Sequence, residues 1–96
     1  MNSLGEKIRS LRESKNILLR QVAAYLEIDT ALISKIERGE RRLTREQVVK
    51  LAHYYKVTEE ELLTLWLSDK VLDTIDKDPF AMQGLNKAKM ILKTLL

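Results

Sequence analysis

Apolar residues recur every three or four positions along almost the whole chain, and this spacing restricts the fold more than any other feature. It is the period of an α-helix with one buried face, whereas a strand would need apolar and polar residues to alternate. Only three glycines and one proline interrupt the 96 residues, so the chain favours helices joined by short turns. The sequence therefore predicts an all-α fold.

Residues typical of helix ends locate the individual helices. A Ser, Thr or Asp side chain accepts from the first free amides of a helix, and Glu or Gln three positions later completes a capping box. Helix starts are predicted at Ser3 with Glu6, Asp29, Thr44 with Gln47, Thr58 with Glu61, and Asp78 followed by Pro79, and a helix end just before Gly39. The predicted helices are 4–15, 19–26, 30–37, 45–55, a fifth that opens at Thr58 and can run to 75, and 79–95.

Residues 19–38 fit two short helices that pack across each other and are joined by a tight turn. Only a small side chain allows close approach where the helices cross, and Ala23 stands at that point. The turn is short, from Glu27 to Asp29. The shared core is predicted to contain Val22, Leu26, Ile28, Ile33 and Ile36.

The stretches KIRSLRESKN and QVAAYLEIDTALISKIERGERRLTREQVVKLAHYYKV resemble the Xre/Cro-type helix-turn-helix family, which includes phage repressors, restriction–modification controller proteins and many antitoxins. The segment ISKIERGER is especially similar to the family's pattern at the end of its recognition helix. The resemblance covers about residues 4–64. It implies a five-helix lambda-repressor-like DNA-binding domain over 1–65 with a C-terminal helical extension over 66–96, and no enzyme activity.

By the same resemblance, the third helix is the recognition helix, and its N-terminal residues are expected to face the major groove of double-stranded DNA. Lys35 can donate to guanine O6 and N7, and Ser34 can bond a base or a phosphate. Thr30 and Ala31 can contact a thymine methyl group. The alternative for Thr30, Ala31 and Ser34 is an ordinary solvated helix face.

Arginine is confined to the first half of the chain. Residues 1–50 carry 11 Lys and Arg against 7 Asp and Glu, including all seven arginines, whereas residues 51–96 carry 6 against 7. The planar guanidinium suits phosphates and base edges. Phosphate contacts are therefore predicted for Arg38, Arg41 and Arg42, which follow the recognition helix, and for Arg20 on the second helix. The alternative is a solvated cluster of charges.

Two positions depart from the family's pattern, and one pair matches it. Leu19 stands where the family has a glutamine that contacts a phosphate, and Leu cannot make that contact. Glu27 stands where the family has a turn glycine, and a left-handed backbone costs Glu about 1 kcal/mol, so a slightly different turn is expected. The matching pair, Arg12 and Glu37, implies a structural ion pair that orients the recognition helix.

The C-terminal extension, residues 66–96, is called here the tail, and an apolar run crosses its start. Residues 62–67, LLTLWL, are apolar on more than one side, so something must cover them. Because the family commonly dimerises after the fourth helix, a dimer interface is predicted at Leu62, Leu65, Trp66 and Leu67. The last helix has an apolar seam at Ala81, Leu85, Ala88, Leu92 and Leu95. It could swap onto a partner or fold back on its own fifth helix, and the sequence leaves both open.

Other chemistry finds no support in the sequence. There is no cysteine, so neither a disulfide nor a thiolate site is expected. His53 is the only histidine and has no companion ligand, so no metal site, catalytic residue or cofactor is predicted. No signal peptide or segment of membrane-spanning length is visible, and the cytoplasm is the expected location.

These features predict a sequence-specific transcriptional regulator, a repressor by preference, that binds a pseudo-palindromic operator as a homodimer. Its half-sites would lie about 34–36 Å apart. The alternative is a protein–protein interaction module, or an antitoxin-type partner binder, that keeps the fold and reads DNA weakly or not at all. The tail could also recruit a further protein partner.

Overall fold

The computed structural model describes residues 3–96; Met1 and Asn2, which belong to the predicted 1–65 domain, lie outside the described residues. Every regular element in 3–96 is an α-helix, so the predicted all-α fold is confirmed. The helices are α1 (Ser3–Ser14), α2 (Leu19–Leu26), α3 (Thr30–Glu37), α4 (Arg45–Tyr55), α5 (Glu59–Ile75) and α6 (Ala81–Leu95). None of them is long and apolar enough to span a bilayer.

The first five helices share one apolar core. α1 packs against α3 and α5, α2 packs against α3, and α4 packs against α5. Ile8, Leu51 and Leu62 are almost completely enclosed, and burying a side chain of this kind stabilises the fold by about 1.5–3 kcal/mol relative to its exposure. The residues predicted to fill the α2–α3 core lie there: Val22, Ala23, Leu26, Ile33 and Ile36 are buried and Ile28 is partly buried.

Helices α1 to α4 are each followed, within two residues, by a residue in the left-handed backbone conformation. These residues are Asn16 (φ 54°), Glu27 (φ 59°), Gly39 (φ 78°) and Lys56 (φ 57°). The amide of each one, and the amide that follows it, return to carbonyls of the last helical turn, as when Ile28 N–H donates to the Ala23 carbonyl at 3.0 Å. Glu27 thus adopts the geometry of a turn glycine, and the expectation of a different turn is wrong.

Two of the predicted capping residues act as expected. The hydroxyl of Thr44 accepts from the Gln47 amide at 3.2 Å at the start of α4. The Gln47 side chain accepts in return from the Thr44 amide at 2.9 Å, which completes the box. The hydroxyl of Thr58 accepts from the Glu61 amide at 3.1 Å and so caps α5.

Two other predicted caps are not formed. Ser3 is already helical, and the amides of Ser3 and Leu4 donate to the carboxylate of Asp69 on α5, at 3.2 and 3.0 Å. The predicted capping box of Ser3 with Glu6 is therefore wrong, because a carboxylate distant in sequence takes its place. Asp29 does occupy the N-cap position of α3, but its side chain makes no capping hydrogen bond.

Helix α6 begins at Ala81, two residues later than predicted. The Asp78 carboxylate accepts from the Phe80 amide at 2.8 Å, and the Asp78 carbonyl accepts from the Ala81 amide at 3.1 Å, which forms a turn ahead of the helix. No residue of α6 is buried. The radius of gyration is 15.1 Å, against about 12.5 Å for a compact domain of this length. α6 therefore extends from the body and leaves its seam largely uncovered.

The predicted boundary between residues 65 and 66 falls inside α5, which is one continuous helix. Beyond that boundary, Trp66 packs partly against the core, and Asp69 binds the start of α1. The body formed by α1 to α5 therefore includes the middle of α5.

Candidate nucleic-acid interface

Helix α3 has two opposite faces. Ile33, Ile36 and Glu37 are buried against the body, and buried Ala23 lies where α2 meets α3. The other face carries the four residues that were predicted to contact bases: Thr30, Ala31 and Lys35, which are exposed, and Ser34, which is partly exposed. The helical period places these four together over the first two turns of α3. Short polar groups, a methyl group and one ammonium thus form an open face.

An ion pair between α1 and α3 fixes the orientation of that face. Arg12 Nε donates to Glu37 Oε2 at 2.8 Å and Arg12 Nη2 donates to Glu37 Oε1 at 3.1 Å, while Nη1 donates to the Ile17 carbonyl at 3.1 Å. Glu37 is only 6% exposed. The hydrogen bond with Glu37 raises the pKa of Arg12 above its ordinary value. The pair predicted from the sequence is present, and it lies on the side of α3 that faces the body.

Arg38 extends the open face at its C-terminal end. Its Nη1 donates to the hydroxyl of Ser34 at 2.6 Å, and its Nε donates to the carboxylate of Glu40. The hydrogen bond from Arg38, together with its positive charge, lowers the pKa of Glu40. A residue predicted to contact a base and one predicted to contact a phosphate are thus in direct contact.

Residues 38–44, between α3 and α4, are called here the arginine loop. Leu43 is 4% exposed and anchors the loop in the core. Arg41 is exposed and makes no ion pair or hydrogen bond with any other residue of 3–96 through its side chain. Arg42 Nη2, in contrast, donates to Asp73 Oδ2 of α5 at 2.6 Å. Arg41 and Arg42 therefore differ, because Arg41 faces solvent and Arg42 is held against α5.

The start of α2 carries a candidate phosphate ligand, Arg20, and the leucine that replaces the family's glutamine, Leu19. Arg20 is exposed on the first turn of α2. Leu19 packs partly against the core. At the position where the family has a glutamine that contacts a phosphate, this chain therefore has an apolar side chain that contributes to the core. The side chain of Gln21 accepts from the Leu18 amide at 2.7 Å and supplies the cap that α2 otherwise lacks.

The residues predicted to form a dimer interface occupy different environments. Leu62 is 0% exposed inside the core of its own chain. Its prediction as an interface residue is therefore wrong, because an enclosed side chain cannot contact a partner. Leu65 and Trp66 pack partly against that core. Leu67 is exposed.

Sequence reasoning missed a row of contacts made by α5. The Trp66 indole N–H donates to the Leu43 carbonyl at 2.8 Å, Asp69 binds the first amides of α1, and Asp73 binds Arg42. The three side chains are spaced i, i+3 and i+7, which places them on one face of the helix. In the sequence, this spacing continues the helical face that begins at buried Leu62, and it could have predicted that all three side chains face the body.

Comparison with known proteins identifies the family of the chain. The family model described as Helix-turn-helix matches residues 8–62. The chain is 38% identical over 64 residues to the HTH-type transcriptional repressor RghR of Bacillus subtilis, covering 66% of this chain and 47% of that protein. It is 32% identical over 60 residues to the HTH-type transcriptional regulator DdrOP3 of Deinococcus deserti, covering 62% of this chain and 46% of that protein. The chain thus spans about half the length of these relatives.

A solved structure shares the fold. The crystal structure of the clp gene regulator ClgR from Corynebacterium glutamicum superposes with a TM-score of 0.61 at 23% identity, covering 80% of this chain and 82% of that one. Since the family model takes in more than half of the chain, from Ile8 to Leu62, the protein belongs to the Xre/Cro-type helix-turn-helix family, a family of transcriptional regulators rather than of enzymes.

Proposed function

We propose that this protein binds double-stranded DNA in a sequence-specific way, with α3 in the major groove. The observation that carries the proposal is the open face of α3, where Thr30, Ala31, Ser34 and Lys35 are all accessible. The opposite face is held by Ile33, Ile36 and the ion pair of Glu37 with Arg12. A recognition helix needs this division, because base edges are read only by side chains whose backbone is fixed.

The chemistry of the face fits base edges. The ammonium of Lys35 donates to guanine O6 and N7, and the methyl groups of Thr30 and Ala31 match the thymine methyl. Ser34, already bonded to Arg38 at 2.6 Å, reaches a base or a phosphate. The contacts of Lys35 discriminate between base pairs most strongly, since guanine offers two acceptors side by side.

Phosphate contacts are assigned to Arg20, Arg38, Arg41 and Arg42. Arg41 supports this best, because it is exposed and has no side-chain partner within 3–96. Arg38 and Arg42 each hold a carboxylate, but a guanidinium has five N–H donors and retains some for a phosphate. Each phosphate neutralised adds about 0.9 to the slope of log affinity against log salt concentration.

The protein acts as a homodimer on a pseudo-palindromic operator, with half-sites about 34–36 Å apart. Exposed apolar side chains support pairing with a second copy. Among 3–96, nine of the eleven exposed large apolar side chains lie beyond residue 66: Leu67, Val71, Phe80, Met82, Met90, Ile91, Leu92, Leu95 and Leu96. Leu67 and Val71 lie on α5, so the interface combines the outer face of α5 with the seam of α6, and Met90 lies on the opposite side of α6.

The seam of α6 is not covered by its own α5, which favours packing against a partner over folding back. Ala81 and Leu85 are partly covered, whereas Ala88 is exposed and Leu92 and Leu95 are 54% and 76% exposed. Lys87, Lys89 and Lys93 are the only charged residues between Ala81 and Leu95. The relative named a transcriptional repressor favours repression as the outcome of binding.

The test is selection of operator fragments from a random double-stranded DNA pool, followed by a salt titration and a mass measurement of the complex. Enrichment of a two-fold symmetric sequence, bound by two protein chains, is the expected result. Binding that is weak, equally strong for scrambled DNA and lost at moderate salt would contradict the proposal. The protein–protein interaction module, with antitoxin-type binding as one form of it, would then be the better account of the chain.

A further inference from the structure

In the second half of the arginine loop, residues 41–43, the backbone makes no backbone hydrogen bond within residues 3–96. The amides of Arg41, Arg42 and Leu43 donate to no backbone carbonyl within residues 3–96. Regular bonding resumes only at Thr44, which opens α4. The position of the loop therefore depends on side chains.

Helix α5 supplies two of those side-chain contacts. The Trp66 indole N–H donates to the Leu43 carbonyl at 2.8 Å, and Asp73 binds Arg42 at 2.6 Å. Trp66 and Asp73 are seven residues apart and so lie on one face of α5, two turns from each other. The ammonium of Lys70 lies 4.0 Å from the centre of the Trp66 ring, a cation–π contact that favours this position of the indole.

The loop is not packed tightly against α5. A cleft of about 150 Å³ lies between the loop, α5 and the start of α1, lined in part by Gly5, Arg41, Leu43, Trp66 and Asp69. Apart from the buried side chain of Leu43, polar contacts therefore define the path of this part of the loop. Within residues 3–96, the hydrogen bond from Trp66 is the only side-chain hydrogen bond to the backbone of residues 41–43.

We infer that Trp66 is a positioning residue for DNA binding, which holds the arginine loop in the conformation that meets the phosphates. This inference rests on the proposed DNA-binding function. Trp66 acts through Leu43 on the guanidinium groups of Arg41 and Arg42, and it does not touch DNA. Without the indole N–H, the Leu43 carbonyl loses its partner, and the loop must be ordered during binding at a cost in affinity.

The variant Trp66→Phe removes the N–H and keeps an aromatic ring. Affinity is measured at one low salt concentration, on selected operator and on random DNA. We expect Trp66→Phe to weaken binding to both roughly fivefold, the value of one hydrogen bond. In an Arg41→Ala/Arg42→Ala background, the same change should weaken binding less than twofold, because the groups it positions are gone.

Val57→Ala is the matched control. Val57 is also partly buried against the core, but it follows the other end of α4. It should lower the melting temperature and leave DNA affinity unchanged wherever the protein is folded. If Trp66→Phe weakens binding equally with and without Arg41 and Arg42, or does not weaken it at all, the positioning role is wrong. If the wild type itself fails to select DNA, the proposed function falls instead.

A second measurement needs no variant. Trp66 is the only tryptophan, so its indole N–H gives a single resolved signal in an amide correlation spectrum. We expect that signal to be slow to exchange in the free protein and to shift when DNA is added. A signal that stays unchanged at saturating DNA would overturn the inference even if the variants were uninformative.

Discussion

Arg12 and Glu37 form a two-point ion pair that joins α1 to the last turn of α3, with N–O distances of 2.8 and 3.1 Å. The third donor of Arg12 binds the Ile17 carbonyl in the turn after α1, at 3.1 Å. One guanidinium thus ties together a helix, its following turn and the candidate recognition helix. Since both side chains are largely removed from solvent, either partner alone would be a buried charge.

Glu37→Gln should therefore destabilise the fold strongly. It removes the buried carboxylate that binds the guanidinium of Arg12 and leaves only the exposed Glu13 nearby, and breaking a buried pair typically costs about 3–5 kcal/mol. Guanidinium chloride unfolding at neutral pH measures the loss. Glu46→Gln is the control, because Glu46 lies 3.8 Å from Lys50 in an exposed pair on α4 and makes no contact with Arg12. A loss for Glu37→Gln no larger than that of the control would show that the pair is not important for stability.

Tyr55 gives a prediction in the alkaline range. Burial, and then the negative charge of Glu37, raise the pKa of Tyr55 above its ordinary value of 10.0, while Arg12 acts in the opposite direction. The unfolded chain therefore loses this proton first, so stability is complete below about pH 10 and falls as pH rises toward the folded pKa. The slope approaches about 1.4 kcal/mol per pH unit for one group.

Unfolding by urea between pH 8 and pH 11 measures that slope. Tyr55→Phe should flatten it, and Tyr25→Phe, at a 42% exposed position, should not. If Tyr55→Phe left the slope between pH 10 and pH 11 as steep as in the wild type, ionisation of Tyr55 would not be the cause of alkaline destabilisation.

Glu27→Gly should stabilise the protein. Glu27 holds a left-handed conformation, φ 59° and ψ 43°, which a side chain with a Cβ adopts at a cost of about 1 kcal/mol. Glycine removes this cost, partly offset by the greater freedom that it gives the unfolded chain. Thermal unfolding measures the gain, and Glu27→Ala, which keeps the Cβ, should show none. A lower melting temperature for Glu27→Gly would mean that the Glu27 side chain makes a stabilising interaction.

The sequence predicted the body well where the signals are local. Helices α2, α3 and α4 have the predicted bounds, because Thr44 caps in place and Gly39 ends α3 with a left-handed residue. The start of α1 was not predictable in this way, since its capping group, Asp69, is contributed by α5. Only the packed fold brings the two together.

The tail was harder to interpret for a related reason. An apolar run shows that its side chains must be covered, but it does not show which part of the protein covers them. Leu62 is covered by its own core, whereas Leu67 is left exposed. Trp66 is predicted to be an interface residue, and its indole N–H donates to the Leu43 carbonyl of its own chain, a contact that the apolar run does not indicate. Which neighbour covers a residue depends on the path of α5, which spacing alone does not give.

Lys35→Ala should reduce sequence preference more than affinity for DNA in general. Lys35 is the exposed cation of the α3 face, and loss of a contact to guanine should relax discrimination at one base pair by about 1–3 kcal/mol. Competition between operator and single-base variants measures this. Arg41→Ala is the contrast, because it should weaken binding to every sequence and lower the salt slope by about one. If both variants act alike on operator and random DNA, α3 does not read bases as proposed.

The seam of α6 can be tested with two substitutions on opposite sides of one helix. Leu92 belongs to the seam and is 54% exposed, and Met90 is 63% exposed about 200° around the helix. Both become lysine, so the added charge and the loss of apolar surface are matched. Sedimentation velocity should show that Leu92→Lys is a monomer, because a charge in a dimer core lacks a partner, and that Met90→Lys is a dimer like the wild type.

Affinity for the selected operator should differ between the two variants in the same way as their oligomeric state. A monomer contacts one half-site at a time, so Leu92→Lys should lose much of the operator affinity while its affinity for random DNA changes little. Met90→Lys should bind as the wild type does. If Leu92→Lys stays dimeric, the seam is not the interface. If Met90→Lys also dissociates, the contact is not restricted to one face of α6, and the outer face of α5 at Leu67 and Val71 becomes the surface to change next.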